Sequence, residues 1–404
     1  MRLLKGLTLA AACVLAAGAA DAADLSDGVI KIGVLNDQSG LYADLSGQGS
    51  AIAAQMAVED FGAEAKGMKV EIVSADHQNK PDIGSNIARQ WIDVDKVDVI
   101  VDVPTSSVAL AVNEIVREKN KVFLVSGAAA SDLTGKACSP NTVHWTYDTW
   151  ALANGTGKAI VQTGGDSWFF ITADYAFGHA LERDTAAVVE ANGGKVLGAV
   201  RHPLSTADFS SFLLQAQSSG AKIIGLANAG GDTINSIKQA SEFGIVAGGQ
   251  NLAGLLVFIT DVHALGLQIA QGLILTESFY WDMNDQTRAF SERFAPQYRG
   301  IHPSMVHAGV YASVLHYLKA IEAAGTDEGG TVVAKMKELP TDDPLFGKGS
   351  IRADGRKIHD MYLFQVKTPE ESKGEWDYYK VRATIPAAEA FRPLDQGGCP
   401  LVKG

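Results

Sequence analysis

The sequence predicts an α/β fold of two doubly wound lobes with parallel central sheets. Three observations predict it. Short apolar runs alternate with amphipathic stretches, as right-handed βαβ units require. The alternation runs from residue 30 to residue 125 and restarts near residue 151. Two segments also echo each other, Val99-Ile100-Val101-Asp102-Val103-Pro104-Thr105-Ser106-Ser107 and Ile223-Ile224-Gly225-Leu226-Ala227-Asn228-Ala229-Gly230-Gly231-Asp232. Each reads as a buried strand, a small-residue loop and a helix N-terminus. In open α/β sheets, ligands bind at the carboxyl ends of the strands. Two such edges facing each other make a cleft.

The first alternation opens with Ile30-Lys31-Ile32-Gly33-Val34-Leu35, a strand ending in the polar loop Asn36-Asp37-Gln38-Ser39-Gly40. A helix is expected over 46–61, where Ala51, Ile52, Met56, Ala57 and Val58 form an apolar stripe. Strands at 70–74, 97–101 and 122–125 are separated by helices over 83–94 and 108–119. The second alternation predicts helices over 151–162, 176–190, 209–217 and 233–243. Its strands fall at 168–172, 195–200, 223–226 and 255–259. Asn192-Gly193-Gly194 is a helix stop. Beyond residue 277 the regularity breaks. Helices are expected over 287–298, 307–324 and 332–338, then an antiparallel strand pair at 361–366 and 376–381. The tail from 386 is rich in Pro and Gly.

Ahead of the first strand, Arg2 and Lys5 precede an apolar run ending in Ala20-Asp21-Ala22. This is the pattern of a secretory signal cleaved near Ala22, residues 1–22. An uncleaved anchor is the alternative. At 404 residues the chain is too long for one core. With 47% hydrophobic and 20% charged residues it reads as a folded globule. The formal net charge is −12, and without a leader carrying two basic groups and one acid the chain is slightly more acidic still. No basic run suggests nucleic-acid binding.

Three cysteines occur. Cys13 lies in the leader, in a sequence that matches a lipoprotein box only weakly. Cys138 and Cys399 remain, and an oxidising compartment favours pairing them, with two free buried thiols as the alternative. No Cys-x-x-Cys and no zinc-spaced Cys/His cluster is present. Gly-x-Ser-x-Gly is absent, and Gly155-Thr156-Gly157-Lys158 lacks P-loop spacing. No catalytic residue, metal ligand or cofactor is therefore expected. An exported α/β protein of this kind is expected to capture a ligand rather than transform one.

The loops at the strand ends hold the candidate site. Thr105, Ser106 and Ser107 precede a helix and offer hydroxyls and unpaired N–H groups that suit a carboxylate, although helix capping explains the same residues. Ala128, Ala129 and Ala130, within Ser126 to Asp132, let a ligand approach the backbone. Asp232, close to Asn228 in the second echo segment, suits a cationic ligand group or caps its helix. Tyr175 and Phe177 lie in a loop where aromatics wall pockets. Tyr42, Tyr147 and Tyr280 are further aromatic candidates, and Leu45 lies near Tyr42.

At these loops the chain resembles the periplasmic solute-binding proteins of ABC transporters, in the branch that includes branched-chain amino acid binding proteins with the type I fold. The pieces are Ile32-Gly33-Val34-Leu35 with Ser39-Gly40, Gly49 and Ala57; Ala128 to Thr134; Tyr175-Ala176-Phe177-Gly178; and Ile237-Lys238-Gln239-Ala240 after Asp232. The resemblance covers nearly all of the chain beyond the leader. It implies a three-strand hinge, with one lobe at 24–146 plus 279–349 and the other at 147–278 plus 350–404. It implies that Ser106, Ser107 and the backbone at Ala128 and Ala130 hold a ligand carboxylate, that Asp232 meets an amine, and that Phe177 is a pocket aromatic. It implies a monomeric periplasmic receptor that delivers its ligand to ABC permease subunits. The chain departs from amino-acid binders in having Asp232 after a bare Ala229-Gly230-Gly231 and in having Ala130 where a hydroxyl is common. The expected ligand is a small carboxylate, either an amino acid or an aromatic acid. An amide or urea binder, a sensor of the same fold and a secreted hydrolase are the alternatives.

Overall fold

In a computed structural model of the chain, residues 25–402 are described. The leader, Cys13 and the cleavage position near Ala22 lie outside the described residues. Strand β1 (Ile30–Asn36) is followed by helix α1 (Gly47–Phe61), β2 (Val70–Asp76), α2 (Pro81–Asp93), β3 (Val99–Asp102), α3 (Ser106–Glu118) and β4 (Val122–Val125). A short β5 (Thr142–His144) completes a five-stranded sheet in the order β2-β1-β3-β4-β5. Every pairing in it is parallel, with Val34 beside Ser74 and Val101. Helix boundaries follow local chemistry. Pro81 sits in the first turn of α2, where its missing N–H costs nothing. Gly62, at φ +71°, ends α1.

Side chains alternate across this sheet. Ile32, Val34, Val99 and Val101 pack on one face with Val310, Val314 and Leu318 of the helix Met305–Ala324. Leu35, Ile100, Phe123 and Val125 pack on the other with Val108, Val112 and Trp91. A helix late in the sequence thus completes the first lobe.

The second lobe contains β6 (Ser167–Ala173), β7 (Lys195–His202), β8 (Ile223–Ala227) and β9 (Asn251–Gly254), parallel in the order β7-β6-β8-β9. Its core continues into an antiparallel sheet of β10 (Ile274–Glu277), then, beyond β11 (Thr341–Asp343), β12 (Gly347–Ile351) and β13 (Lys357–Ile358), β14 (Met361–Val366) and β15 (Tyr379–Ile385). Strands β11 to β13 form a small antiparallel sheet that the sequence pattern did not suggest.

Several expected elements are displaced. Residues 255–259 are not a strand: β9 ends at Gly254, and the chain runs as a loop into the helix Ile259–Leu265. The turn is tight at Gly254, where a Cβ would lie 2.5 Å from Val257. The last strand begins at Tyr379 rather than at 376, because Trp376 has φ +68° and breaks the extended run. The helix expected over 287–298 spans Asp285–Phe294 and tightens to a 3₁₀ turn at Ala295–Tyr298, around Pro296. The helix expected over 151–162 starts at Thr149 and widens into a π turn at Ala153–Gly157, where Gly155 packs on Thr276.

The chain leaves the first parallel sheet after β5, and β10 and β14 lie side by side in the antiparallel sheet. Arg356, which is fully buried, joins the segment after β5 to the turn between β12 and β13. Its Nη1 donates to the Tyr147 carbonyl at 3.0 Å and lies 3.5 Å from Asp148 Oδ2, and Phe391 stacks 4.4 Å from the guanidinium. Cys138 and Cys399 form a disulfide with Cα atoms 5.6 Å apart. It ties the C-terminal tail to the loop after β4. Replacing both cysteines with serine is expected to lower stability by about 2–4 kcal/mol, read as an earlier urea midpoint.

Candidate functional site

The loops at the carboxyl ends of the two parallel sheets meet around a small cavity. From the first lobe come Tyr42, Leu45, Pro104, Gly127 and Ala129. Tyr147 enters from the first crossing, and Tyr175, Phe177, Ala229, Leu256 and Phe258 come from the second lobe. Five of these eleven are aromatic and none is charged.

Tyr42 is placed by the polar loop after β1. Asp37 Oδ2 accepts from the Tyr42 amide at 2.9 Å, and its Oδ1 accepts from the Gly40 amide at 2.7 Å. Asn79 donates to Asp37 Oδ2 at 2.6 Å and accepts from Thr105 Oγ1, joining this loop to the start of α3. The Tyr42 and Tyr175 hydroxyls lie 2.6 Å apart across the lobes. Burial, reinforced by Tyr175, raises the Tyr42 pKa well above that of a free phenol, so the pair stays protonated. The Gly231 amide donates to the Leu41 carbonyl at 3.2 Å, a second contact between lobes.

The loop after β4 is held from behind. The Tyr147 hydroxyl donates to Gly127 O at 2.6 Å, the Thr149 amide donates to Ala129 O at 2.8 Å, and a His144 ring nitrogen lies 2.7 Å from Ala128 O. The Ala130 amide donates to Ser106 Oγ at 3.2 Å. Three consecutive carbonyls are thus engaged away from the cavity. The base of the site is strained: Asp102 and Val103 have φ +81° and +51°, unusual for residues other than glycine. Asp102 Oδ2 accepts from Ser46 Oγ at 2.6 Å and from Asn36 at 3.1 Å, and a Cβ at Gly127 would lie 2.7 Å from its other oxygen.

The cavity brings together Tyr42, Leu45, Ala129, Tyr147, Tyr175 and Phe177 of the expected residues. Thr105, Ser106, Ser107, Ala128 and Ala130 flank it on the two loops that supply Pro104, Gly127 and Ala129. Three expected residues are not in the wall, although Asp232 helps raise the Tyr42 and Tyr175 hydroxyl pKa values through space. Asp232 is buried in the first turn of its helix and accepts from the Ser205 and Thr206 amides at 3.1 and 2.8 Å, so its carboxylate anchors the loop after β7. Burial outweighs those bonds and pushes its pKa up to about 6. Asn228 accepts from Thr233 Oγ1 at 2.7 Å and lies 3.2 Å from His202. Tyr280 belongs to the core of the second lobe, with its hydroxyl on the Trp376 carbonyl at 3.1 Å. Pro104, Gly127, Ala229, Leu256 and Phe258 were not anticipated. Phe258 was hidden because 255–259 reads as a core strand.

Phe258 is fixed by Asp261, whose Oδ2 accepts its amide at 2.9 Å. Burial pushes the Asp261 carboxyl up to about 7. An unfolded aspartate ionises near ~3.9, so the folded protein holds the extra proton between these values. This contribution is complete below pH ~4 and is lost as pH rises toward 7. Asp261→Asn is expected to flatten that slope when unfolding free energy is measured from pH 4 to 7.5.

A small cavity lined from both parallel-sheet lobes is the arrangement in which ligand-binding receptors hold their ligands. The chain belongs to the periplasmic binding protein family, whose profile matches residues 29–375. It is similar to a periplasmic binding protein from Burkholderia mallei of known crystal structure, at 54% identity, a TM-score of 0.91, and coverage of 93% of this chain and 100% of that one. A branched-chain amino acid ABC transporter periplasmic ligand-binding protein from Burkholderia xenovorans LB400 is 41% identical, with a TM-score of 0.82 over 92% of this chain and 99% of that one. A solute-binding protein of an ABC transporter from Rhodopseudomonas palustris HaA2, solved with p-hydroxybenzoic acid, is 26% identical, with a TM-score of 0.79 over 89% of this chain and 97% of that one.

Proposed function

We propose that this chain is the extracytoplasmic receptor of an ABC importer and that it captures a small aromatic carboxylate by closing its lobes at 24–146 with 279–349 and at 147–278 with 350–404. The observation that carries the ligand class is the cavity wall: five aromatic rings and no charged side chain, with Asp232 spent on two backbone amides. An α-ammonium group would find no carboxylate in the wall itself, since Asp232, which acts on Tyr42 and Tyr175 through space, already accepts from two backbone amides. A planar ring instead finds edge and face partners in Tyr42, Tyr147, Tyr175, Phe177 and Phe258. The carboxylate meets the N-terminus of α3 and the Ala128–Ala130 backbone, where N–H dipoles favour an anion.

The leader is removed near Ala22, the mature protein works in the periplasm as a monomer, and permease subunits of the inner membrane receive the ligand. It performs no turnover. The relative solved with p-hydroxybenzoic acid supports the aromatic reading, and the relative named for branched-chain amino acids supplies the competing one. A thermal-shift series with benzoate, 4-hydroxybenzoate, leucine, isoleucine, valine, acetamide and urea decides between them. The aromatic acids are expected to raise the melting temperature and leucine to leave it unchanged. Stabilisation by leucine with none by the benzoates overturns the reading. The double variant Ser106→Ala with Ser107→Ala is expected to bind 4-hydroxybenzoate about tenfold more weakly by calorimetry.

A further inference from the structure

A further contact between the lobes lies outside the cavity wall. Ser131 opens the turn directly after Ala128–Ala130, on the first lobe, and Asp184 lies midway along the helix Ala176–Ala191 of the second. Both are buried. Asp184 Oδ2 accepts from Ser131 Oγ at 2.7 Å and from Thr149 Oγ1, on the first crossing, at 2.5 Å. Asp184 Oδ1 accepts from Arg183 Nε at 2.9 Å. Arg183 spans the same seam, with Nη2 donating to Ser131 Oγ at 3.0 Å and Nη1 lying 3.3 Å from Asp132 Oδ2. On the far side, Arg392 of the tail donates to the Ser131 carbonyl at 3.0 Å.

Ser131 and Asp184 ride on different lobes, so opening the cleft separates them. Hydrogen bonds to a buried carboxylate are strong, and a carboxylate left without them is costly. In this clasp neither Ser131 nor Asp184 lines the cavity, and only Thr149 touches its wall, through its amide on the Ala129 carbonyl, so changes at Ser131 and Asp184 act on closure. We propose that Asp184 is a positioning residue for closure: its bond to Ser131 holds the seam shut, with Thr149 orienting the carboxylate from its own lobe, and sets how long a captured molecule stays. This rests on the reading of the cavity as a capture site.

The test uses the full disulfide-bonded chain, with Asp184→Asn, Ser131→Ala and the double variant, and 4-hydroxybenzoate as the probe. Stopped-flow kinetics is expected to show dissociation about tenfold faster in Asp184→Asn, with association changed less than about twofold. Ser131→Ala is expected to accelerate dissociation about threefold, and the double variant to behave like Asp184→Asn alone, since both remove one contact. Small-angle scattering without added probe is expected to give a larger radius of gyration for Asp184→Asn than for the unaltered protein. An unchanged dissociation rate overturns the proposal. If the unaltered protein does not bind 4-hydroxybenzoate, the aromatic reading fails, and the clasp is then judged by scattering, where an unchanged radius of gyration refutes it. If Asp184→Asn does not fold, Ser131→Ala carries the test by the same two readouts, and no change in either refutes the clasp.

Discussion

Gly230→Val is expected to weaken capture of 4-hydroxybenzoate at least about a hundredfold while leaving the fold of each lobe in place. Gly230 precedes the helix that begins at Gly231, on the edge of the second lobe that faces Leu41. Its backbone has φ +55° and ψ −131°, a conformation open to glycine and strained for valine. A Cβ there would lie 2.4 Å from the Leu41 carbonyl oxygen and 3.0 Å from the Tyr42 ring. Both obstacles belong to the other lobe. The nearest obstacles to an added side chain thus lie across the cleft, and it blocks the approach that brings Tyr42 to Tyr175. Apparent affinity falls with the population of the closed form. Calorimetry measures the loss, and scattering shows whether the variant stays open when the probe is added. A closed Gly230→Val with normal affinity would show that closure does not require this contact.

The largest expected effect on stability is at the hinge. Arg356→Met is expected to cost about 3–5 kcal/mol, because it leaves Asp148 buried without its cation. Asp148 also accepts from the Ala151 amide at 2.8 Å, so its carboxylate cannot move to water without uncapping that helix. Arg356 holds the Tyr147 carbonyl, and Tyr147 in turn holds Gly127 O. The loss should therefore reach the cavity as well. Urea unfolding gives the stability. The double variant Arg356→Met with Asp148→Asn is expected to lose less than the two single changes added together, since each removes the same pair.

The regular part of the fold was legible because two periodicities were. Strands such as 97–101 and 122–125 are buried on both faces and read as unbroken apolar runs, and the intervening helices carry clear stripes. What failed was structure set by contact rather than pattern. The three residues of β5 are too few to show a period, and β11 to β13, at three, five and two residues, are likewise short. Leu255-Leu256-Val257-Phe258 is as apolar as any strand, yet it supplies two walls of the cavity. Small residues and loop aromatics that follow a strand, as at Ala129, Tyr175 and Phe177, line the cavity. Asp232 stands in the first turn of its helix, and its sequence position does not reveal that the Ser205 and Thr206 amides fold over its carboxylate.

The uncharged cavity wall has a consequence for kinetics. The chain carries a net charge of −12, and the cavity has no lysine or arginine to offset that field locally. An anionic guest is thus repelled at a distance and held only at close range by fixed backbone dipoles. Added salt screens the repulsion, with a Debye length near ~10 Å at 0.1 M, but hardly weakens the short dipole contacts. Encounter should therefore speed up with ionic strength, opposite to the trend of receptors that steer ligands in by charge.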